Sequence, residues 1–245
     1  MDEYEPSTYG DRIADVYDAW YDVPGNSDAA VEFLASLAGP GPALELAIGT
    51  GRTALPLAEK RVEVHGIDAS EAMVGKLREK PGGGGIPVTI GDFADVAVEG
   101  RYPLVFLVFN TLFALPTQED QIRCMRNVAA HLTDDGAFVV EAFVPDLARF
   151  DRGQRVQAAR VDLDGVLLEV SKHDPVTQRV YSHHVVIAEG GTHTYPVQIR
   201  YSWPSELDLM AQLAGLRLRE RWGGWSREPY EGTGKHVSVY EHARR

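Results

Sequence analysis

The chain has 245 residues, of which 36 are acidic and 24 are basic, so its formal net charge is −12. This length suits one large α/β domain or a core domain with a modest insertion. The negative charge repels phosphate backbones and anionic lipid surfaces, and no Lys/Arg-rich run offsets it, so neither nucleic acid nor a membrane is an expected partner. The single cysteine, Cys124, excludes an internal disulfide and a cysteine metal cage. With no leader-like N-terminus and no apolar run of roughly 18 residues, the sequence predicts a cytoplasmic protein.

Short β-rich segments alternate with helical ones through the first 143 residues. The fourth strand segment, LVFLVF, is continuously apolar, as in a parallel sheet that is covered on both faces. Repeated strand–helix–strand units imply right-handed crossovers and therefore a doubly wound sheet. The predicted strands cover residues 43–48, 62–67, 86–90, 104–109 and 137–143, and the helical segments between them cover 51–60, 70–80 and 118–132.

After Pro145 the pattern changes to short alternating strands. Turn signals stand at residues 164–165, 174–175 and 190–191. In residues 195–203 the odd positions are apolar or aromatic and form one face of a strand. We predict about four antiparallel strands inserted into the sheet domain, followed by a helix over residues 205–216 and two closing strands.

The most informative segment is ELAIGTGRTA, residues 45–54, which leaves a strand, turns and enters a helix. Gly49 and Gly51 permit positive φ or the close approach of a ligand, so they indicate a nucleotide-like ligand on this turn. Asp68 ends the next strand, where a carboxylate can accept hydrogen bonds from a ribose diol. By itself this pattern fits a dinucleotide site as well as an adenosyl site.

Two further features separate these interpretations. Glu45 precedes the glycine loop, where a carboxylate opposes a pyrophosphate but suits a ligand that carries an ammonium group. S-Adenosylmethionine carries an ammonium and a sulfonium group and no phosphate. After the third strand, Asp92 can accept a hydrogen bond from the adenine amine and Phe93 can stack on the ring.

Together, the E-x-A-x-G-x-G loop, Asp68, the Gly-Asp-Phe turn and the segment that begins at Asn110 resemble class I S-adenosylmethionine-dependent methyltransferases. Within that family the resemblance is to small-molecule N-methyltransferases of the glycine and amino-sugar type, and it runs from about residue 9 to residue 143. Ala47 departs from the family pattern, which often has glycine there. The resemblance implies an α/β fold with a Rossmann-like, doubly wound seven-stranded sheet whose last strand is antiparallel, and an inserted antiparallel β lid over the active site.

The resemblance also implies an organisation and a cofactor. Residues 1–149 would form a lid helix and the cofactor-binding core, 150–203 the antiparallel substrate lid, and 204–245 the helix and strands that complete the core. Glu45 would meet the amino end of S-adenosylmethionine, Asp68 the ribose, and Asn110 the methionine portion. The expected cofactor contacts are Tyr17, Glu45, Ala47, Gly49, Gly51, Asp68, Ala69, Met73, Asp92, Phe93 and Asn110.

Methyl transfer needs alignment, exclusion of water and, for some acceptors, removal of a proton, so no metal site is expected. His183 and His184 are candidate bases, and because they are adjacent on a strand at most one should reach the cavity. Trp20 and Tyr21 are candidate substrate contacts, with packing on the sheet as the alternative. Arg200 either binds an acceptor carboxylate or is solvated.

The sequence therefore predicts an S-adenosylmethionine-dependent methyltransferase that acts on nitrogen or oxygen of a small molecule, such as an amino sugar or another secondary metabolite. An NAD(P)-dependent oxidoreductase and a non-catalytic adenosyl-binding protein are the alternatives. The identity of the acceptor, and the choice between a monomer and a homodimer, stay open.

Overall fold

The computed structural model describes residues 4–21 and 27–243, and this part of the chain forms two β-sheets and six α-helices. The helices are α1 (Thr8–Tyr21), α2 (Asp28–Ala38), α3 (Ala54–Glu59), α4 (Glu71–Glu79), α5 (Gln118–His131) and α6 (Pro204–Leu213). The strands are β1 (Ala43–Leu46), β2 (Val64–Asp68), β3 (Val88–Ile90), β4 (Tyr102–Leu107), β5 (Leu132–Phe143), β6 (Gln154–Asp162), β7 (Gly165–Asp174), β8 (Arg179–Ala188), β9 (Gly191–Arg200), β10 (Leu216–Trp222) and β11 (Lys235–His242).

The larger sheet has seven strands in the order β10-β11-β5-β4-β1-β2-β3. Strands β1 to β5 are parallel to their neighbours among themselves, whereas β11 runs antiparallel to both β5 and β10. The prediction of a doubly wound seven-stranded sheet with an antiparallel last strand is therefore confirmed. The order of strands reverses between β1 and β4, and in such sheets ligands bind in the crevice at the carboxyl ends of the two strands.

Two hydrophobic clusters cover opposite faces of this sheet. Along β4, Leu104 and Phe106 belong to one cluster, while Val105 and Leu107 belong to the other. All four side chains are fully buried, and burying each of them contributes roughly 1.5–3 kcal/mol. The continuous apolar run of this strand thus arises because helices cover both of its faces.

The smaller sheet is an antiparallel meander in the order β6-β7-β8-β9, which we call the roof. Its three hairpins turn at the predicted signals, because residues 164, 175 and 190 lie between consecutive strands. Helix α1 packs against β9 on one side and α4 on the other, so the N-terminal helix connects the roof to the larger sheet.

The structure differs from the sequence prediction at the start of β5. This strand begins at Leu132 and not at residue 137, because Leu132 already pairs with Tyr102. The register then shifts, and the next pair joins Ala137 to Leu104. The TDDG sequence therefore forms an irregular segment within the strand, where a turn before the strand was expected. Within residues 4–21 and 27–243, no helix is long and apolar enough to cross a membrane.

Candidate active site

A cavity of about 370 Å³ lies at the carboxyl ends of β1 and β4 and is closed from above by α1 and the roof. We call it the central cavity. Its volume falls within the range of roughly 300–1,000 Å³ that is typical of sites for small ligands. The residues predicted from sequence that line it are Tyr17, Tyr21, Glu45, Ala47, Gly49, Asp68, Ala69, Met73, Asp92, Phe93, Asn110 and His184.

The loop after β1 takes a left-handed backbone conformation at three positions. The φ angles are 56° at Ala47, 57° at Gly49 and 80° at Gly51. An L-residue in this region costs roughly 1–2 kcal/mol, which explains why glycine was expected at position 47. Gly51 is not among the residues that line the central cavity, so its predicted ligand contact stays a prediction; a Cβ at this position would clash with the Leu77 side chain of α4. The absence of a side chain at Gly51 lets the loop pack closely on that helix.

Asp68 connects the end of β2 to the glycine loop. Its Oδ2 accepts a hydrogen bond from the Gly49 backbone N–H at 2.7 Å, and its Oδ1 accepts one from the Ser70 N–H at 2.8 Å. Burial raises the pKa of this carboxyl group, and the two backbone N–H groups partly oppose that effect. Because a carboxylate offers about four lone-pair sites, Asp68 can still accept hydrogen bonds from a ligand.

Glu45 and Arg52 line the central cavity, and each has one buried polar atom without a hydrogen-bond partner among the described residues. The atoms are Oε2 of Glu45 and Nε of Arg52. Burial raises the pKa of Glu45 to about 8, against the lowering effect of the nearby Arg52 guanidinium. The guanidinium lies 5.1 Å from the centre of the Phe109 ring, and its Nη1 donates to Ser27 Oγ at 3.1 Å.

The opposite end of the central cavity is apolar with one carboxylate. Met73 and Phe93 are buried, and Ser70 caps α4 by accepting a hydrogen bond from the Met73 N–H at 3.2 Å. Asp92 accepts a hydrogen bond from the Ala94 N–H at 2.9 Å through Oδ1. The second Asp92 oxygen, Oδ2, lies 3.8 Å from Arg123 Nη2, beyond hydrogen-bond distance, so it can still accept a hydrogen bond from a donor on a planar ring enclosed at this end.

The turn after β4 holds two consecutive non-glycine residues with positive φ, 56° at Phe109 and 65° at Asn110. Glu141 Oε2 accepts the Phe109 N–H at 2.8 Å, and Asn110 Oδ1 accepts the Phe143 N–H at 2.7 Å. The side-chain oxygen of Asn110 therefore fastens the turn to β5. Strained turns of this kind concentrate at functional sites, where surrounding contacts maintain them.

Helix α1 covers the central cavity with Tyr9, Tyr17 and Tyr21. Two hydrogen bonds fasten it below: Thr50 Oγ1 donates to Asp18 Oδ1 at 2.6 Å, and Ser70 Oγ donates to Asp11 Oδ1 at 2.7 Å. Burial raises the pKa of Tyr17 to about 12, although the Arg52 guanidinium lowers it, so this hydroxyl stays protonated at neutral pH.

Trp20 does not line the central cavity, so its assignment as a substrate contact is corrected. Its ring packs edge-on against His184 at 5.7 Å and Tyr195 at 5.1 Å, measured between ring centres. The residue joins α1 to the roof because the indole fits between these two rings.

The two adjacent histidines point to opposite faces of β8. His184 lines the central cavity, whereas His183 is exposed. His183 lies outside the central cavity and also outside the second cavity that is described below. Burial lowers the pKa of His184, partly offset by the charge of Glu169. Its Nδ1 is buried without a hydrogen-bond partner in the described part of the chain. His184 is therefore a neutral imidazole with a free ring nitrogen, while His183 has no access to the cavity.

The structure supports neither of the two roles expected of Arg200, which were binding an acceptor carboxylate and facing solvent. Its side chain is buried and lies outside the central cavity, so it neither faces solvent nor reaches a ligand there. The guanidinium donates to Gln121 Oε1 at 2.8 Å and forms an ion pair with Glu206 at 2.6 Å. These contacts fasten β9 to α5 and α6.

Sequence reasoning missed Arg52 and Phe109 as cavity residues. Arg52 stands directly after Gly51 in the glycine loop, so its position in the motif was a usable signal. Phe109 carried no such signal, because in the sequence it is the last residue of an apolar strand segment. Among residues 4–21 and 27–243, no group of three or more His, Cys, Asp or Glu side chains could hold a metal ion.

Fold and cavity together define an α/β protein with a ligand-sized cavity at its topological switch point, and the lining of this cavity fits an adenosyl-type ligand. A family model described as a methyltransferase domain matches residues 43–136. The solved structure of the CcbJ methyltransferase from Streptomyces caelestis is 44% identical, with a TM-score of 0.93 over 98% of this chain and 100% of that one. The chain belongs to the S-adenosylmethionine-dependent methyltransferases, and S-adenosylmethionine is its methyl donor.

Two further relatives are named for methylation of amino groups. The cypemycin N-terminal methyltransferase of a Streptomyces species is 27% identical over 243 residues, which are 96% of this chain and 97% of that protein. The dTDP-4-amino-2,3,4,6-tetradeoxy-D-glucose N,N-dimethyltransferase of Saccharopolyspora spinosa is 29% identical over 142 residues, 55% of this chain and 56% of that protein.

Proposed function

We propose that this enzyme transfers a methyl group from S-adenosylmethionine to the nitrogen of a small-molecule amine in the cytoplasm. One observation carries the proposal: His184 lines the covered central cavity, and its buried Nδ1 has no hydrogen-bond partner among the described residues. An amine that arrives protonated must lose a proton before its lone pair can react, and a neutral imidazole can take it. The names of the two amine-methylating relatives support nitrogen over oxygen.

The residues fit the amino-acid end of S-adenosylmethionine. Its carboxylate is opposite in charge to the Arg52 guanidinium, and its ammonium group is opposite in charge to the ionised form of Glu45. Leaving buried polar atoms without partners costs free energy, so a zwitterionic ligand removes two such costs at once. In this proposal Glu45 receives the ammonium group and Arg52 the carboxylate.

The nucleoside end fits the other half of the central cavity. Asp68 accepts hydrogen bonds from the ribose hydroxyls through its remaining lone pairs, and the backbone beside it at Ala69 forms the adjoining wall. Met73 and Phe93 enclose the adenine ring, and Asp92 accepts from its amino group. The aromatic and thioether side chains provide apolar and polarizable contacts for this ring.

When bound, S-adenosylmethionine supplies a methyl group on a positively charged sulfur, which leaves as a neutral thioether. The chain itself then has three tasks: it holds the donor, excludes water and removes a proton. Tyr17 and Tyr21 of α1, together with the roof, exclude water from the central cavity. Orientation of two bound reactants can account for several kcal/mol of barrier reduction.

A single probe tests the choice of acceptor atom. We would incubate the protein with S-adenosylmethionine labelled with ¹³C at the methyl group and with trans-4-aminocyclohexanol, which offers an amine and a hydroxyl on one ring. NMR of the product is expected to show the label on nitrogen. Label on oxygen would refute the proposal. Absence of product from this probe and from a wider amine and phenol panel, with S-adenosylhomocysteine still bound, would favour a non-catalytic adenosyl-binding protein.

A further inference from the structure

A second cavity, of about 150 Å³, lies under the roof next to the central cavity. We call it the roof cavity. It is enclosed on one side by Phe150 and its neighbours in the segment after β5, and on the other by β7, β8 and β9. Four residues line both cavities, so the two cavities adjoin: Phe143, His184, Val197 and Ile199. A void of this size has room for a ligand as large as benzene.

The polar groups of the roof cavity lie on one face of the roof. Glu169 of β7 pairs directly with His184 of β8, and His184 pairs with Tyr195 of β9. Residues that stand directly opposite in neighbouring strands project from the same face with Cβ atoms roughly 5 Å apart. Glu169 lines only the roof cavity, whereas His184 lines both cavities. A carboxylate and an imidazole therefore stand side by side where the two cavities meet.

Glu169 lies between two arginines and forms an ion pair with each of them that is longer than a hydrogen bond. The nearest cations are Arg149 Nη2 at 3.6 Å from Oε1 and Arg155 Nη1 at 3.7 Å from Oε2, and both distances exceed those of hydrogen bonds. Within the described residues, no donor reaches its oxygens more closely. The lone pairs of Glu169 are therefore open to a ligand that brings its own N–H donors.

We propose that the roof cavity is the acceptor subsite and that Glu169 selects there an ammonium group on a compact apolar frame. This inference rests on the proposed N-methylation. The ammonium donates to the Glu169 carboxylate, and apolar atoms of the ligand pack against Phe143, Phe150 and Ile199. His184, which lines both cavities, accepts one proton from the ammonium on Nδ1. The neutral amine keeps the electron pair of the broken N–H bond, and the imidazolium that forms is stabilised by Glu169.

Besides the Arg155 guanidinium at 3.7 Å from Glu169, further charged or titratable groups lie around this pair. Asp146 and Arg149 line the roof cavity from the segment after β5, and Asp146 already accepts a hydrogen bond from the Ala148 N–H. From α1, Tyr21 lies nearby: burial raises the pKa of its hydroxyl group, and the charge of Glu169 adds to that effect. Arg149 offers the competing possibility, because its guanidinium could instead bind an acceptor carboxylate.

Three probes of one shape separate these possibilities: cyclohexylamine, cyclohexanol and cyclohexanecarboxylate. Binding of each is measured by NMR on protein saturated with S-adenosylhomocysteine, with the His184 ring resonances as the reporter. We expect cyclohexylamine to bind and to shift these resonances, and Glu169→Gln to weaken it by about tenfold, the loss typical of a hydrogen bond to a charged group. His183→Gln, on the outer face of the same strand, is the matched control and should change nothing.

The outcomes separate the two proposals. If S-adenosylhomocysteine itself fails to bind, the proposed function fails and the subsite falls with it. If it binds but cyclohexylamine does not, or if the alcohol binds equally well, the subsite is refuted while the proposed function stands. Stronger binding of the carboxylate would show that Arg149 governs the cavity. Unchanged binding of S-adenosylhomocysteine and an unchanged melting temperature show that the Glu169→Gln protein is folded.

Discussion

Glu45 allows the donor site to be tested through pH. With a pKa of about 8, only about one tenth of these carboxyl groups are ionised at pH 7 in the ligand-free protein. A ligand ammonium group binds the ionised form, so ligand binding expels a proton. Between pH 6.5 and 8 the ionised fraction rises from about 3% to about 50%, and affinity should rise roughly 15-fold, or about 1.6 kcal/mol.

Calorimetric titration with S-adenosylhomocysteine measures this effect, because that product keeps the amino-acid and nucleoside groups. Titrations at pH 6.5 and 8 in buffers of different ionisation enthalpy give both the affinity and the number of protons released. In Glu45→Gln the affinity should be lower at pH 8 and nearly independent of pH. Glu231→Gln, at an exposed position, is the control. A wild-type affinity that does not change between these pH values, or that falls as pH rises, would refute the reasoning.

The same substitution has the opposite effect on stability. Because folding raises the pKa of Glu45 from 4.5 to about 8, the folded state holds a proton that the unfolded state releases in this window. The free energy of unfolding therefore falls as pH rises through the range from 4.5 to 8. By pH 7 this loss amounts to about 3 kcal/mol. Ligand-free Glu45→Gln should consequently melt higher than wild type at pH 8, with the difference shrinking toward pH 5.

Three further predictions concern single residues. Asp68→Asn should weaken the binding of adenosine and of S-adenosylhomocysteine alike, by about 1–3 kcal/mol in calorimetry. Glu45→Gln should leave adenosine binding unchanged. Normal adenosine binding by Asp68→Asn would contradict the ribose assignment. Arg200→Ala should lower the free energy of unfolding by about 3 kcal/mol in denaturant titrations, the low end for a broken buried ion pair, because Glu206 loses its cation but keeps hydrogen bonds from Gln118 and Gln178. The S-adenosylhomocysteine affinity measured under native conditions should not change. An NMR titration of His184 should give a pKa below the ordinary 6.5. The contribution of His184 to stability is therefore present above pH 6.5 and is lost as pH falls. A measured pKa above 6.5 would contradict the assignment of His184 as a neutral base.

Periodicity in the sequence was sufficient to predict the two sheets. The continuous apolar run of β4 required cover on both faces, and the alternation of residues 195–203 required one exposed and one covered face. Position in the glycine loop likewise placed Glu45 and Gly49 at the central cavity. These predictions needed only local geometry, because a strand end and the turn after it occupy the same edge of the sheet.

Contacts between distant segments could not be predicted from the sequence. Strand alternation placed Arg200 on the face opposite the aromatic residues, but it gave no sign that Gln121 and Glu206 cover that face. Gly51 was assigned to the ligand because glycine permits two things, a positive φ and a close approach, and sequence alone does not say whether ligand or protein makes the approach. In the structure, the Leu77 side chain makes such an approach.

Energetically unfavourable features of this fold are concentrated at the central cavity. Glu45 holds an unpaired buried oxygen, Ala47 adopts a left-handed backbone, and Phe109 with Asn110 repeats that conformation after β4. Each costs on the order of 1–3 kcal/mol, and all four residues line the same cavity. The three backbone costs persist when ligand binds, since they shape the cavity, whereas the cost at Glu45 is removed by an ammonium group. Glu45 is therefore the residue through which donor binding and the stability of the fold are coupled most directly.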